Sequence, residues 1–230
     1  MSIELIYYIV ILVMFGAAFV ALNLRSKDEA VFSFFLVASL AVFFALREFD
    51  VGQDTASYLL IFAEPERFEL FVEPGFIWLN KAVKFLGGSE RELLFVFSLV
   101  IGLLLYLSYR SLDCKRALLC LALFACTNFF WQFQIQVIRN GMAATLFLLA
   151  LSFMVRGKDL KFWIAGLLSI SFHYTAALPV FLAYALGKVD VSKVSLRIGL
   201  KYILFALLCA AIVYASIPYF IGGFDAYYTK

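Results

Sequence analysis

Long apolar stretches alternate with short polar segments along this chain, which is the pattern that membrane-spanning helices produce. A helix needs about 20 predominantly apolar residues to cross the hydrocarbon core of a bilayer. The stretches that approach or exceed this length are 5–24, 30–46, 93–109, 117–130, 136–155, 162–186 and 198–217. The fourth is short and the sixth is long. The pattern predicts an all-α, polytopic membrane helical bundle in a single domain, with about seven to eight membrane helices or half-helices.

Basic residues in the short loops predict which side of the membrane each loop faces, because Lys and Arg are enriched on the cytoplasmic side. The first, third and fifth loops carry basic clusters: Arg25, Lys27, Arg110, Lys115, Arg116, Arg156, Lys158 and Lys161. These loops are therefore expected in the cytoplasm. The N-terminus and the long second loop, residues 47–92, are expected outside.

The sixth stretch, residues 162–186, breaks this pattern if it crosses the membrane once. Three basic residues would then lie outside: Lys188, Lys193 and Arg197. A hairpin of two half-helices that turns near residues 172–174, with Pro179 in its second arm, would return the chain to the cytoplasm. Such backbone is tolerated at membrane depth only where protein buries it or where it lines a wet cavity. We favour the hairpin over the single crossing, and the final segment 222–228 is then expected outside.

The second loop carries the signals of an amphipathic helix. It starts at Glu73 and Pro74, with proline at the first helical position, and Glu73 is expected to act as a cap rather than as a second carboxylate of a site. Apolar side chains then fall on one face: Phe76, Leu79, Val83 and Leu86. The opposite face carries Asn80, Lys81 and Lys84. Two glycines end the helix, and Ser89 with Glu92 forms a capping box for the next span. We expect this helix to lie on the outer membrane surface.

Composition supports a membrane protein and argues against other classes. The chain is 65% hydrophobic and 15% charged, whereas soluble domains are about 45–50% apolar and about 25% charged. The net charge of +3 is too small to indicate a nucleic-acid partner. The first stretch follows Glu4 rather than a basic residue, which favours a retained span over a cleaved signal peptide. The expected partner of most of the surface is therefore the lipid bilayer.

The sequence indicates no cofactor and no metal site. The four cysteines, Cys114, Cys120, Cys126 and Cys209, form no CxxC pair and show no spacing to a partner histidine. There is no HExxH motif, no glycine-rich phosphate loop and no cluster of carboxylates of the kind that holds magnesium. We therefore expect chemistry that depends on neither a cofactor nor a metal.

A polar segment directly after the second stretch carries the first candidate site. It contains Arg47, Asp50, Asp54 and Tyr58. Charges at the mouth of a membrane helix are costly to place and are usually kept for chemistry or ion handling. The structural alternative is that Arg47 anchors the helix end and Asp54 caps the next helix. The segment by itself leaves both interpretations open.

Two further polar residues, Arg139 and His173, lie in apolar surroundings. Arg139 shares a face with Gln132 and Gln136 if the segment is helical. Arg47 and Arg139 are expected at the same outer level of the membrane, where two guanidiniums suit a pyrophosphate, although Arg139 as a helix anchor stays open. His173 is the only histidine. A core position is the ordinary explanation for such a residue, but in lipid an imidazole needs a partner, which favours a functional role.

Short motifs from these segments occur in a fixed order: Arg47-x4-Gly52-x-Asp54-x3-Tyr58, Glu73-Pro74-Gly75-Phe76, Gln136-Val-Ile-Arg139-Asn-Gly-x-Ala143 and Phe172-His173-Tyr174. Together, over about residues 40–185, they resemble the EpsG family of exopolysaccharide-synthesis membrane proteins. That family is akin to the Wzy-type polymerases of O-antigen and capsule assembly. Members commonly carry further spans, which leaves open a longer architecture of which residues 1–230 are the N-terminal part.

The resemblance implies a GT-C-like membrane glycosyltransferase at the outer face of the bacterial cytoplasmic membrane. It would transfer a glycan from an undecaprenyl-pyrophosphate-linked donor to a sugar hydroxyl, without a metal. The family's polar positions match four residues: Arg47, Asp54, Arg139 and His173. Asp54 would be the general base, with Asp50 or Glu73 as alternatives, the arginines would stabilise the pyrophosphate, and His173 would donate a hydrogen bond or proton to it. Substrate binding is expected of Asp50, Tyr58, Glu73, Gln136 and Tyr174.

Two other functions stay open from the sequence. A transporter or flippase for a lipid-linked oligosaccharide would use the same arginines without forming a bond. The lack of internal repeats in the chain argues against it. A non-catalytic subunit of a polysaccharide export complex is the third hypothesis, and other polysaccharide-assembly proteins are expected partners.

Overall fold

The computed structural model describes residues 3–23, 26–112 and 116–187, and in this part of the chain all regular structure is helical. The helices are α1 (Ile3–Asn23), α2 (Ser26–Ala45), α3 (Thr55–Ala63), α4 (Pro65–Phe68), α5 (Pro74–Phe85), α6 (Glu90–Ser111), α7 (Ala117–Ala125), α8 (Asn128–Ile135), α9 (Ile138–Val155), α10 (Asp159–Phe172) and α11 (Ala177–Gly187). The predicted span 198–217, the segment 222–228, the basic residues from Lys188 onward, Cys114 and Cys209 lie outside the described residues. The contacts below belong to the compact unit that ends at Tyr184.

Three helices are long and apolar enough to cross a membrane, namely α2 from Asp28, α6 and α9. The pair of α7 and α8 makes a fourth candidate if the two are one broken span. Two further apolar segments, Ile11–Val20 in α1 and Tyr174–Gly187, are shorter. The all-α membrane bundle is therefore confirmed for the described residues, whereas the count of seven to eight membrane helices or half-helices is not.

The bundle is organised around α6 and α9, which pack against each other. Helix α2 packs on α6, α10 packs on α9, and α1 packs on α7. Phe97 and Ile101 of α6 and Met142 of α9 are each no more than 1% exposed. Ser169 of α10 donates a hydrogen bond to the carbonyl of Ala143 in α9, at 2.7 Å. The start of α9 therefore lies beside the end of α10, although the two are far apart in sequence.

The fourth apolar stretch is broken rather than short. Helix α7 has nine residues, which is about 13 Å of helix and less than half of a bilayer core. Thr127 has extended backbone and caps α8, because its hydroxyl accepts a hydrogen bond from the N–H of Phe130. The axes of α7 and α8 differ by 79° as a result. The two helices form a broken span or a re-entrant loop within the bundle.

Charged side chains from the two ends of α2 hold the two ends of this bent pair. The buried carboxylate of Glu29 accepts a hydrogen bond from the N–H of Leu118, in the first turn of α7, at 2.8 Å. Arg47, just after α2, donates to the carbonyl of Gln134 at 3.1 Å, near the end of α8. A negative charge at a helix start and a positive charge at a helix end both complement the helix dipole. The position of α8 is therefore fixed by contacts that are distant in sequence.

The sixth apolar stretch turns back on itself, as the sequence predicts. Helix α10 ends at Phe172, His173 has extended backbone, and a 3₁₀ turn over Tyr174–Ala176 leads into α11. The rings of Phe162 and Tyr184 stack at 5.6 Å, so the beginning of α10 lies beside the later part of α11. The turn near residues 172–174 is confirmed, and the single crossing is wrong. The side of the membrane on which the second arm ends stays a prediction.

The loop between α2 and α6 contains the expected helix, α5, and the capping box of Ser89 and Glu92 is confirmed. Its predicted apolar face is partly wrong. Asn80, placed on the polar face by the sequence pattern, is fully buried and donates to the carbonyl of Phe76. Leu86, placed on the apolar face, is 83% exposed. Asn80 can be buried because its amide N–H is satisfied by this local hydrogen bond. Leu86 is exposed because the helix ends at Phe85, so Leu86 does not continue the buried face of the helix.

Candidate functional site

A buried carboxylate, Glu73, contacts two residues that lie 66 and 100 positions later in the chain, Arg139 and His173. Its Oε2 accepts from Nη1 of Arg139 at 2.5 Å, and its Oε1 lies 2.8 Å from Nδ1 of His173. Glu73 is 5% exposed. A buried charge is tolerated when it is paired and hydrogen-bonded, and this carboxylate has both kinds of contact. We name this carboxylate and the polar side chains around it the Glu73 cluster, which consists of Asp54, Tyr58, Glu73, Arg139 and His173.

The backbone places these groups at the ends of helices. Glu73 precedes α5 in the cap position, but its side chain makes no capping hydrogen bond, so the cap expected from the sequence is wrong. Arg139 lies in the first turn of α9, and His173 lies at the break after α10. A Cβ at Gly75 would meet Oγ of Ser171 at 2.5 Å and its carbonyl oxygen at 2.8 Å. Only glycine lets α5 approach the end of α10 this closely, and that approach brings Glu73 to His173.

The charge state of Glu73 decides which ring nitrogen of His173 faces it as a donor. Burial acts to raise the pKa of Glu73, but hydrogen bonds from His173 and the backbone, with the charge of Arg139, outweigh it and lower the pKa to about 2. An ionised carboxylate can only accept, so Nδ1 of His173 must carry the proton. In a neutral imidazole the lone pair then lies on Nε2. Glu73 therefore fixes the tautomer in which Nε2 is the accepting nitrogen of the neutral ring.

This linkage predicts how stability responds to acid. Because the pKa of Glu73 is depressed from 4.5 to about 2, its contribution is present above pH 4.5 and is lost as the pH falls toward 2. The melting temperature of the detergent-solubilised wild type should therefore fall over this range more than that of Glu73→Gln. Glu64→Gln is a matched control, since that carboxylate is 55% exposed. An equal fall in all three proteins would contradict the assignment.

Arg139 points into the protein, which goes against the helix-anchor interpretation. Its guanidinium lies over the rings of Tyr58 and Phe76, at 5.7 and 5.8 Å from their centroids. Such cation–π contacts add to the ion pair with Glu73. Arg139 is therefore held on one side by a carboxylate and on the other by two aromatic faces.

Tyr58 links the arginine to Asp54. Its hydroxyl lies 3.2 Å from Oδ2 of Asp54 and 3.3 Å from the carbonyl of Gln136. Burial and the charge of Asp54 raise the pKa of Tyr58 to about 12, so the phenol is a neutral donor. Asp54 occupies the cap position of α3 without a side-chain capping bond, so the cap alternative for Asp54 is wrong. Its carboxylate is half-buried and accepts from Tyr58 instead.

Arg47 lies next to the Glu73 cluster, but both terminal nitrogens of its guanidinium bond to the fold, and its buried Nε has no partner among the described residues. Its Nη1 donates to the carbonyls of Phe44 and Gln134, at 2.9 and 3.1 Å, and its Nη2 lies 3.4 Å from the hydroxyl of Thr55. Burial lowers the pKa of Arg47 to about 10, against the opposing effect of Tyr58, so it remains a cation at neutral pH. The two guanidiniums therefore have different surroundings, since Arg47 bonds mainly to backbone carbonyls whereas Arg139 pairs with Glu73, and pyrophosphate binding stays a prediction.

The remaining residues that were expected to bind substrate lie on the surface, outside the Glu73 cluster. Asp50 is exposed in the loop, Tyr174 is 58% exposed, and Gln136 is exposed. Gln132, Gln136 and Arg139 do not share one helix, because α8 ends at Ile135 and α9 begins at Ile138. The condition for a shared face, one helix through all three residues, is therefore not met. A cleft of about 190 Å³ opens beside Gln136 on the face of α8.

Several contributors were not identified from the sequence. Glu29 and Gly75 act through contacts that no local pattern reveals. The sequence does point to Glu73, because the motif that contains Glu73 and Pro74 belongs to the same ordered set as the motif that contains the single histidine. In residues 3–23, 26–112 and 116–187, no three His, Cys, Asp or Glu side chains are grouped as a metal site would need. Metal independence stays a prediction.

Comparisons with known proteins place the chain in one family. Residues 30–230 match the family model described as EpsG family. No curated protein matches the chain, and no solved structure does. The match covers the Glu73 cluster, most of α2 and the later helices that the structure describes.

Proposed function

We propose, from the premise that this chain belongs to the EpsG family of Wzy-type polysaccharide polymerases, that the Glu73 cluster is its reaction centre. The donor is a glycan on undecaprenyl pyrophosphate and the acceptor is a sugar hydroxyl. The observation that carries the proposal is the bridge from Arg139 through Glu73 to His173, with separations of 2.5 and 2.8 Å. It brings a base, its orienting carboxylate and a guanidinium together at one position.

The reaction forms one bond and breaks one bond. The acceptor hydroxyl oxygen bonds to the anomeric carbon of the donor, and the bond from that carbon to the pyrophosphate oxygen breaks. The hydroxyl proton moves to Nε2 of His173. The electron pair of the broken bond leaves with the lipid pyrophosphate, so the charge that develops is negative and lies on phosphate oxygens.

His173 is a better general base than Asp54 on this geometry. Glu73 fixes the tautomer that accepts at Nε2, and its charge stabilises the imidazolium that results. A positioned base of this kind contributes about 10²- to 10⁴-fold to rate. Asp54 accepts a hydrogen bond from Tyr58, which leaves it a weaker acceptor. We assign two roles to Asp54 and Tyr58. They hold the acceptor sugar, and they keep Arg139 in place through the Tyr58 ring over which its guanidinium lies.

Arg139 supplies positive charge where the pyrophosphate leaves. Its side chain is 28% exposed, so part of the guanidinium fork is open beyond the Nη1 bond to Glu73. Planar guanidinium forks suit phosphate oxygens. Arg47 supports the reaction indirectly, because it holds the end of α8 next to Gln136, whose carbonyl lies 3.3 Å from the Tyr58 hydroxyl.

The site is assigned to the outer face of the bacterial cytoplasmic membrane. The basic loops before α2, after α6 and after α9 support this orientation through the positive-inside rule. The loop that carries Glu73 would then border the outer leaflet, where Trp78, Phe85 and Leu86 are 67%, 90% and 83% exposed. Large apolar and aromatic side chains beside lysines are typical of a helix that lies in the membrane interface.

The test is elongation by the purified protein alone. Reconstituted in liposomes with a lipid-linked oligosaccharide, and with no other polymerase, the wild type is expected to produce longer glycans. Product length on a gel or by mass spectrometry gives the readout. Movement of the lipid-linked substrate between leaflets without longer products would establish a flippase instead. Neither activity, in protein shown to be folded, would favour a non-catalytic subunit.

A further inference from the structure

One face of α8 carries amide side chains that the described protein leaves unused. Asn128, Gln132 and Gln136 lie at helical spacing with Trp131 and Ile135, and these five residues line the cleft of about 190 Å³. The amides of the three polar residues make no side-chain hydrogen bond to the rest of the chain as far as the structure describes it. We name this feature the amide cleft.

Side-chain amides without a hydrogen-bond partner, in a helix of this kind, need water or a polar ligand beside them. Helix α8 belongs to a broken span or a re-entrant loop, and an amide without a partner is costly wherever it faces hydrocarbon. The opposite side of the same helix shows how the fold treats such a group, since Gln134 is buried and accepts from Ser98 at 2.6 Å. The amide cleft therefore faces water or a ligand rich in hydrogen-bonding groups.

The lining of the amide cleft favours an uncharged ligand. None of its five residues carries a charge, so it does not complement a phosphate or a carboxylate. The Trp131 ring is fixed, because its Nε1 donates to the carbonyl of Ala125 at 3.2 Å and the ring packs edge-on against Phe44 at 5.3 Å. A rigid indole beside amide donors and acceptors offers an apolar face and a polar rim, which match the two sides of a sugar ring.

The amide cleft is continuous with the Glu73 cluster. Its end residue, Gln136, accepts at its carbonyl from Tyr58, 3.3 Å away, and Tyr58 contacts Asp54. We infer that the amide cleft is a glycan subsite that holds one uncharged sugar residue of the substrate next to the reaction centre. The inference rests on the proposed function for its substrate class. Of the five residues that line the amide cleft, only Gln136 was expected from the sequence to bind substrate.

Binding can be measured without turnover. A variant that retains Trp131 as its only tryptophan (Trp78→Phe, Trp163→Phe) reports on the amide cleft by fluorescence. The probe is the repeat-unit oligosaccharide, released by mild acid from the lipid-linked intermediate that a polymerase-deficient strain accumulates. A saturable change in emission is expected, with an affinity about tenfold weaker after Gln132→Leu and Gln136→Leu, because two hydrogen bonds are lost. Inorganic pyrophosphate is expected to give no such change.

The control is Phe129→Leu, on the same helix, 66% exposed and outside the lining. It should bind the oligosaccharide as the parent does. No emission change with the oligosaccharide, or equal affinity in the double-leucine variant, overturns the inference. Because the two glutamine side chains make no contacts that stabilise the described fold, their replacement is expected to leave the melting temperature unchanged.

The elongation assay separates this inference from the proposed function. Elongation by the wild type with an unchanged KM for the lipid-linked substrate in the double-leucine variant would refute the glycan subsite alone. Oligosaccharide binding that depends on the two glutamines, in a protein that does not elongate, would refute the proposed reaction and support the subsite.

Discussion

Replacing Glu73 by glutamine is expected to lower the turnover of glycan elongation by about 10²- to 10⁴-fold. Glutamine keeps the shape of the side chain but loses the charge that Arg139 and His173 share. If the amide NH₂ faces Nδ1 of His173, the ring proton moves to Nε2, where the acceptor hydroxyl should deliver its own. The measurement is the rate of elongation per folded protein in liposomes, with folding checked by melting temperature.

Companion variants decide whether this loss reflects catalysis. His173→Gln is expected to lose turnover to a similar degree, and the double variant to lose little more, because residues that act as one unit are not additive. Glu64→Gln, an exposed carboxylate that pairs with Arg67, should elongate at the wild-type rate. Normal turnover in Glu73→Gln, together with loss in Asp54→Asn, would make Asp54 the base and refute the assignment of His173.

Features that depend on neighbouring residues could be predicted from the sequence. Pro74 starts α5, the capping box of Ser89 and Glu92 starts α6, and the chain turns at His173. Each depends on contacts within a few positions, so the residue types determine the backbone. The same holds for the long apolar helices α2, α6 and α9, whose length alone makes them able to span.

Features that depend on distant contacts could not be predicted in this way. Asp54 and Glu73 both directly precede helices and were both considered as caps, yet neither side chain caps. Their carboxylates are drawn to Tyr58 and to Arg139 with His173, which come from other segments. A carboxylate before a helix can bond either to the N–H groups of the helix or to partners that the tertiary fold brings near. A charged partner stabilises the carboxylate more than a helix N–H does, so the tertiary contact forms instead of the cap.

The motif at Arg47 illustrates the same limit. Gly52 has a positive φ of 99°, and a Cβ there would lie 2.6 Å from the carbonyl oxygen of Ile135. That carbonyl belongs to the end of α8, to which Arg47 also donates through Nη2 at 3.5 Å. Glycine and arginine of this motif therefore serve one purpose, the docking of a broken helix against the loop. From the sequence the arginine could equally be assigned to a phosphate.

The two arginines are expected to fail in different ways when replaced. Arg139→Lys keeps the charge beside Glu73 but loses the planar fork that lies over Tyr58 and Phe76, the fork that we propose binds the leaving phosphate. We expect near-normal abundance with turnover lowered by at least about tenfold, since lysine does not replace arginine at a bidentate or stacked position. Arg47→Ala is expected to lower melting temperature and abundance, because backbone carbonyls at the ends of α2 and α8 lose their donor, each at a cost of about 1–3 kcal/mol.

These outcomes separate chemistry from assembly. The measurements are melting temperature in detergent, protein per membrane and elongation per folded protein, for both variants. Arg67→Ala is the matched control, since that side chain is 70% exposed, and all three values should stay near wild type. A stable Arg47→Ala protein that binds the lipid-linked donor normally but has lost elongation would return Arg47 to the reaction centre. A destabilised Arg139→Lys protein with normal turnover per folded molecule would remove Arg139 from it, because a residue that only holds the fold changes how much enzyme there is and not how fast each molecule works.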